Sequence, residues 1–148
     1  VRLKRMPFAG LLCNHAIFLP LLYLGGSWSL FESPVHLSMV VGCVVLLTQN
    51  QLIHELMDWQ EDVQAGDKTT AQFLETKGTF ALCYLIGVVS GATAFFALPA
   101  PDNMVAASAL LASTGAIWAY RRSASEARSA HRWAGLFGSA FYYVAILI

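Results

Sequence analysis

The 148-residue sequence predicts an all-α fold, a multi-pass transmembrane bundle of about five spanning helices, on three observations. Hydrophobic residues make up 57% of the chain and charged residues 12%, whereas soluble domains carry about 25% charge. The apolar runs are about 20 residues long, the length that crosses a bilayer as a helix. They lack the alternation of strands, and an open sheet would leave its edges unpaired in lipid. All nine Lys and Arg residues fall in three short segments, which a five-span reading puts on one side of the membrane.

The first span is expected from about Phe8 to Leu30, loosened at its end by Gly25 and Gly26. The second is expected from about Pro34 to Leu56, and the third from about Thr79 to Leu98, stopped by Pro99-Ala100-Pro101. The fourth follows from about Asn103 to Tyr120 and the fifth from about His131 to Ile148. The basic segments are Arg2, Lys4 and Arg5; Lys68 and Lys77; and Arg121, Arg122, Arg128 and Arg132. The other connections, around Phe31 to Ser33 and Pro99 to Asp102, hold none. The excess of Lys and Arg marks the cytoplasmic side. Trp59, Trp118, Tyr120 and Trp133 fall near that boundary and Trp28 near the other, as interfacial anchors do.

Net charge is zero, so no bulk polyelectrolyte partner such as nucleic acid is suggested. Cys13, Cys43 and Cys83 stand singly in apolar runs, so neither a zinc site nor a disulfide framework is indicated. The chain opens on Val1-Arg2-Leu3-Lys4-Arg5, inside a basic segment, and an upstream portion is expected.

The stretch that carries chemistry is HELMDWQEDVQAGDKTTA, residues 54 to 71, at the cytoplasmic end of the second span. Residues three and four apart share a helix face. Asn50, His54, Asp58 and Asp62 form one stripe, with Glu55 and Glu61 at its edges. Carboxylates are unfavourable at a helix C-terminus, so either the helix continues past Asp62 or cations compensate. Hard oxygen ligands of this kind suit Mg²⁺ or Ca²⁺. Mg²⁺ takes one or two carboxylates together with substrate phosphates. Gly66 is a C-cap or turn, and Asp67-Lys68-Thr69-Thr70 adds a cation and two hydroxyls that suit phosphate oxygens. A solvated acidic helix end, with an ordinary polar turn after it, is the bland alternative. His15 and Asn14, early in the first span, suit interhelical hydrogen bonds, and His131 belongs with the basic loop.

The pattern His54-Glu55-x-x-Asp58-x-x-x-Asp62 followed by Gly66-x-x-Thr69 resembles the UbiA superfamily of intramembrane prenyltransferases. The aspartate motifs of that family read N-D-x-x-D-x-x-x-D, the second copy being looser and followed by G-x-x-T. Here Glu55 keeps a carboxylate and His54 replaces the asparagine. The Arg2-Leu3-Lys4-Arg5 opening looks like the basic segment before the family's fifth helix. The resemblance covers the whole chain as the second half of a nine-helix bundle; the first aspartate motif is absent from these residues, so the 148-residue chain alone is expected to be inactive.

The resemblance implies transfer of an isoprenoid chain from a prenyl diphosphate to an aromatic or other lipophilic acceptor, with Mg²⁺ as cofactor and the lipid bilayer as surroundings. It implies Asp58 and Asp62 as catalytic Mg²⁺–diphosphate ligands with Glu55 as a third. Lys4, Arg2 and Lys68 become diphosphate contacts, Thr69 and Thr70 either donate to the diphosphate or only cap the turn, and Asn50 and His54 position substrate, with a helix–helix hydrogen bond the equal alternative for Asn50. Two other classes compete. Alcohol phosphatidyltransferases also use helical aspartates, but their D-G-x-x-A-R element is missing, since Trp59 follows Asp58 and Val63 follows Asp62. A cation or proton transporter would also line its path with carboxylates, near mid-membrane.

Overall fold

The computed structural model describes residues 6–16, 34–100 and 102–147. The described residues are helical, with no strand among them. They form α1 (residues 9–16), α2 (Pro34–Met57), α3 (Trp59–Ala65), α4 (Thr70–Ala97), α5 (Asp102–Ala119) and α6 (Ala124–Leu147). Most of the first expected span, and Trp28, lie outside the described residues. The second and fourth expected spans agree with α2 and α5 to within a residue at each end.

The third and fifth expected spans differ at their starts: α4 begins nine residues before Thr79 and α6 seven before His131. Both extensions are polar first turns held by caps, which an apolar-length criterion does not see. The Thr69 hydroxyl accepts from Gln72 N at 3.3 Å to cap α4. Ser123 Oγ accepts from Glu126 N at 3.4 Å to start α6. Such caps satisfy amides that have no intrahelical partner.

Among the described residues, Thr70–Phe96 is the one helix long and apolar enough to cross a membrane by length and composition, and Asn103–Ala119 is apolar but shorter.

Helices α4 and α5 run antiparallel, joined by the Pro99 turn. Asn103 N donates to Pro99 O at 3.0 Å, and Asn103 Nδ2 to Phe95 O at 3.2 Å, so the turn is closed by its own polar groups. Two apolar clusters form the core. One gathers Val45, Ala94, Leu98, Ala106 and Leu110 near that turn. The other gathers Leu52, Ile53, Cys83, Ile117 and Ala127 at the opposite end.

Between the clusters lies a buried polar layer. Gln49 Nε2 donates to Cys83 O at 2.8 Å and to Thr114 Oγ1 at 3.0 Å. Ser113 Oγ is 2.5 Å from His131 Nδ1, and His131 Nε2 is 3.1 Å from Leu46 O. Thus α2, α4, α5 and α6 meet through one set of hydrogen bonds. His131, read from sequence as part of the basic loop, is only 2% exposed. Its neighbours four residues either way, Ala127 and Gly135, carry the small surface that lets α6 approach. Gly87 makes the layer possible on α4: a Cβ there would overlap Thr114 Oγ1 and come within 2.6 Å of Gln49 Nε2.

Candidate functional site

The site is built at the end of α2. The helix ends at Met57, and Asp58 (φ −86°, ψ 5°) makes a bend before α3. Hydrogen bonding runs through the bend, from Asp58 N to His54 O at 3.0 Å and from Asp62 N to Asp58 O at 2.9 Å. The helical path therefore continues past Asp62, one of the two ways expected to ease the carboxylates' position. It stops at Gly66 (φ 71°), whose N–H donates to Val63 O while Asp67 N donates to Asp62 O. This pair of bonds is a Schellman cap, and its left-handed residue favours glycine.

The chain then turns at once into α4, and Glu55 fastens the turn. Its Oε2 accepts from Ala71 N at 3.0 Å, and Oε1 lies 3.5 Å from Gln51 Nε2. A carboxylate at a helix N-terminus meets exposed amides and the positive end of the helix dipole. Glu55 is only 8% exposed and caps a helix sixteen residues away in sequence. The Thr70 hydroxyl accepts from Phe8 N at 3.0 Å, and the Phe8 and Phe73 rings meet edge to face at 5.7 Å. These contacts dock the start of α1 on the start of α4. One turn further on, Glu75 (φ 58°, ψ 171°) kinks α4, and Thr79 Oγ1 donates to the carbonyl of Glu75 at 2.8 Å.

Together these elements enclose a pocket of about 230 Å³. Its lining brings His54, Glu55, Asp58, Asp62, Lys68, Thr69 and Thr70 together. Nδ1 of His54 lies 3.1 Å from Asp58 Oδ2, an ion-pair separation without hydrogen-bond directionality. Asp62 is buried at 7% exposure, while Asp58 is far more open. Among the described residues no three His, Cys, Asp or Glu side chains converge on a common metal position. Asp58 and Asp62 offer two hard oxygen donors four residues apart, the donor type and number that Mg²⁺ accepts from protein. Glu55 has one oxygen engaged with the Ala71 amide.

Arg2 and Lys4 lie outside the described residues. Asn50 is absent from the pocket lining: its Oδ1 accepts from Arg128 Nε at 3.4 Å, on the side of α2 that faces α6. Gln51 and Asn14 line the pocket and were not assigned to it from sequence. Gln51 stands four residues before Glu55, a spacing that would have found it. Asn14 arrives by the docking of α1, which no local pattern encodes. His15 makes the interhelical contacts expected of it, with Nε2 2.7 Å from Thr48 Oγ1.

Comparison of the chain with protein-family models, with curated proteins and with solved structures found no match.

Proposed function

We propose that this chain is part of an intramembrane prenyltransferase and supplies one half of a Mg²⁺–diphosphate site. The observation that carries this reading is the pocket in which Asp58, Asp62, Glu55, Lys68 and two threonines meet at the end of an apolar helix. The bilayer setting is supported by α4: only 28% of its most apolar window is buried, and Phe73, Leu85, Val89, Phe95 and Phe96 are exposed. A surface of that kind marks contact with lipid or another apolar partner. With five spans, the pocket and every basic segment fall on the cytoplasmic side.

In this reading Asp58 and Asp62 would hold the divalent ion, which would supply positive charge for the prenyl diphosphate. When bound, the ion offsets charge that develops on the departing diphosphate. Lys68 adds a cation to the same pocket wall. Thr69 and Glu55 act as the frame: one caps α4 and the other anchors its first turn to α2. His54 stands beside Asp58 on the same pocket wall, its Nδ1 3.1 Å from Oδ2. The apolar faces of the bundle hold the isoprenoid tail and keep water from the allylic cation. A lipophilic acceptor, of quinone-precursor type, attacks the allylic carbon as its bond to the diphosphate oxygen breaks, and the displaced ring proton passes to the departing diphosphate or to solvent.

A transporter of cations or protons is the second reading, favoured by the buried polar layer at mid-bundle. That layer consists of Gln49, Ser113, Thr114 and His131, whereas the carboxylates gather at the helix end, which fits a diphosphate clamp better.

The test joins this chain to a helix that carries the first aspartate motif. Consumption of a prenyl diphosphate is expected to require Mg²⁺ and to fall at least about a hundredfold in Asp58→Asn and in Asp62→Asn, as loss of a preorganised charged group does. Unchanged turnover in both variants refutes the assignment, and cation flux into proteoliposomes without prenyl diphosphate binding would favour the transporter.

A further inference from the structure

A second polar pocket shares the last turn of α2 with the carboxylates and opens toward α6. It has a volume of about 530 Å³ and is lined by Met57, Ser125, Arg128, Ser129, Arg132 and Trp133. The four polar residues repeat at intervals of three and four along α6, so they share one face. The lining holds two guanidinium groups, two hydroxyls and no acid. Among the described residues neither arginine has a carboxylate at ion-pair distance.

Arg128 is oriented. It is half-buried, and its Nε donates to Asn50 Oδ1 across the α2–α6 contact. A basic residue that served topology alone needs no such partner. Arg132 and Arg122, by comparison, are exposed, and Arg121 stacks on Trp118 with its guanidinium carbon 4.1 Å from the ring centre. Guanidinium groups present planar forks of N–H donors that match phosphate oxygens two at a time. Hydroxyls add further donors, and Met57 and Trp133 supply an apolar wall for the carbon side of an ester.

We propose that this pocket binds the phosphate group of a diphosphate or phosphate ester, with Arg128 and Arg132 as the anion ligands and Asn50 as the residue that positions Arg128. The site is distinct from the carboxylate pocket and needs no metal.

The test uses the chain in nanodiscs with EDTA present, so that Mg²⁺-dependent binding at Asp58 and Asp62 makes no contribution. Inorganic pyrophosphate is titrated calorimetrically in phosphatidylcholine discs. Enrichment of phosphatidylglycerol is measured separately in discs made from equal parts of the two lipids. Saturable pyrophosphate binding identifies a free phosphate anion as the ligand; enrichment without pyrophosphate binding identifies a lipid headgroup. Either supports the site when it weakens about tenfold or more in the Arg128→Gln, Arg132→Gln double variant, the loss expected for charge-assisted hydrogen bonds. Asn50→Leu, which keeps every charge, is expected to weaken binding several-fold. Should the double variant fail to fold by circular dichroism, Arg128→Lys decides, because it keeps the charge and removes the fork. Binding of neither probe, or binding unaltered by Asn50→Leu and Arg128→Lys, overturns the proposal. None of these outcomes bears on the Mg²⁺-dependent reading of the carboxylate pocket.

Discussion

Gly87 and Asn50 carry the clearest lessons at the level of single residues. Gly87 sits where α4 crosses the polar layer, and a methyl group there would come within 2.9 Å of Thr114 Cβ and closer still to its hydroxyl. Gly87→Ala is therefore expected to lower stability by about 1–3 kcal/mol, the cost of overpacking a filled core. Thermal unfolding in detergent checks it, and an unchanged midpoint would contradict the close approach. The i, i+4 spacing made Asp58 and Asp62 legible as neighbours, and the pocket holds both. The same spacing does not bring Asn50 into the pocket. Each step of four residues advances about 40° round a helix, so Asn50 and Asp62 stand about 120° apart. That rotation carries Asn50 out of the pocket and against Arg128. His131 was illegible for another reason: its burial depends on Ser113 and Leu46, which come from other helices.

At the level of the elements, apolar length located α2 and α5, and polar caps moved the starts of α4 and α6. The Ser123–Glu126 pair has the spacing of a capping box and signals the earlier start of α6 in the sequence itself. The Glu55 cap had no such signal, because its acceptor and donor belong to different helices. Glu55 thus has two readings that mutation separates. Glu55→Ala removes a buried acceptor and is expected to destabilise the chain by about 1–3 kcal/mol, since the Ala71 amide loses its partner. Glu55→Gln keeps an acceptor and is expected to recover most of that loss in a denaturant or thermal melt. If Glu55 also served as a metal ligand, the Gln variant would fold normally and still lose Mg²⁺-dependent turnover.

The whole molecule alternates apolar, polar and apolar layers along the bundle axis, with the carboxylate pocket at one end and the Pro99 turn at the other. The membrane reading makes a directional prediction here. Single cysteines at Gly66 and Arg122, in a background lacking Cys13, Cys43 and Cys83, are expected to react with an impermeant maleimide from the same face of sealed vesicles. A cysteine at Ala100 is expected to react only from the opposite face. Labelling of Ala100 and Arg122 from one face would rule out a spanning α4–α5 pair. Charge asymmetry along the sequence speaks to sidedness. Packing between the helices depends on side chains that the charge pattern does not mention.

The polar layer also has a mechanical consequence. Apolar helix faces slide on one another at little cost, because one aliphatic contact resembles the next. Gln49 reaches both the carbonyl of Cys83 and the hydroxyl of Thr114 at one axial offset. A slip of α4 by one turn, about 5.4 Å, that brought Cys83 to the height of Gly87 would drive its side chain against Thr114 and the Gln49 amide. The layer works as an alignment key: it blocks a slip in that direction, and so helps to hold Glu55 level with the first turn of α4, where the pocket is made.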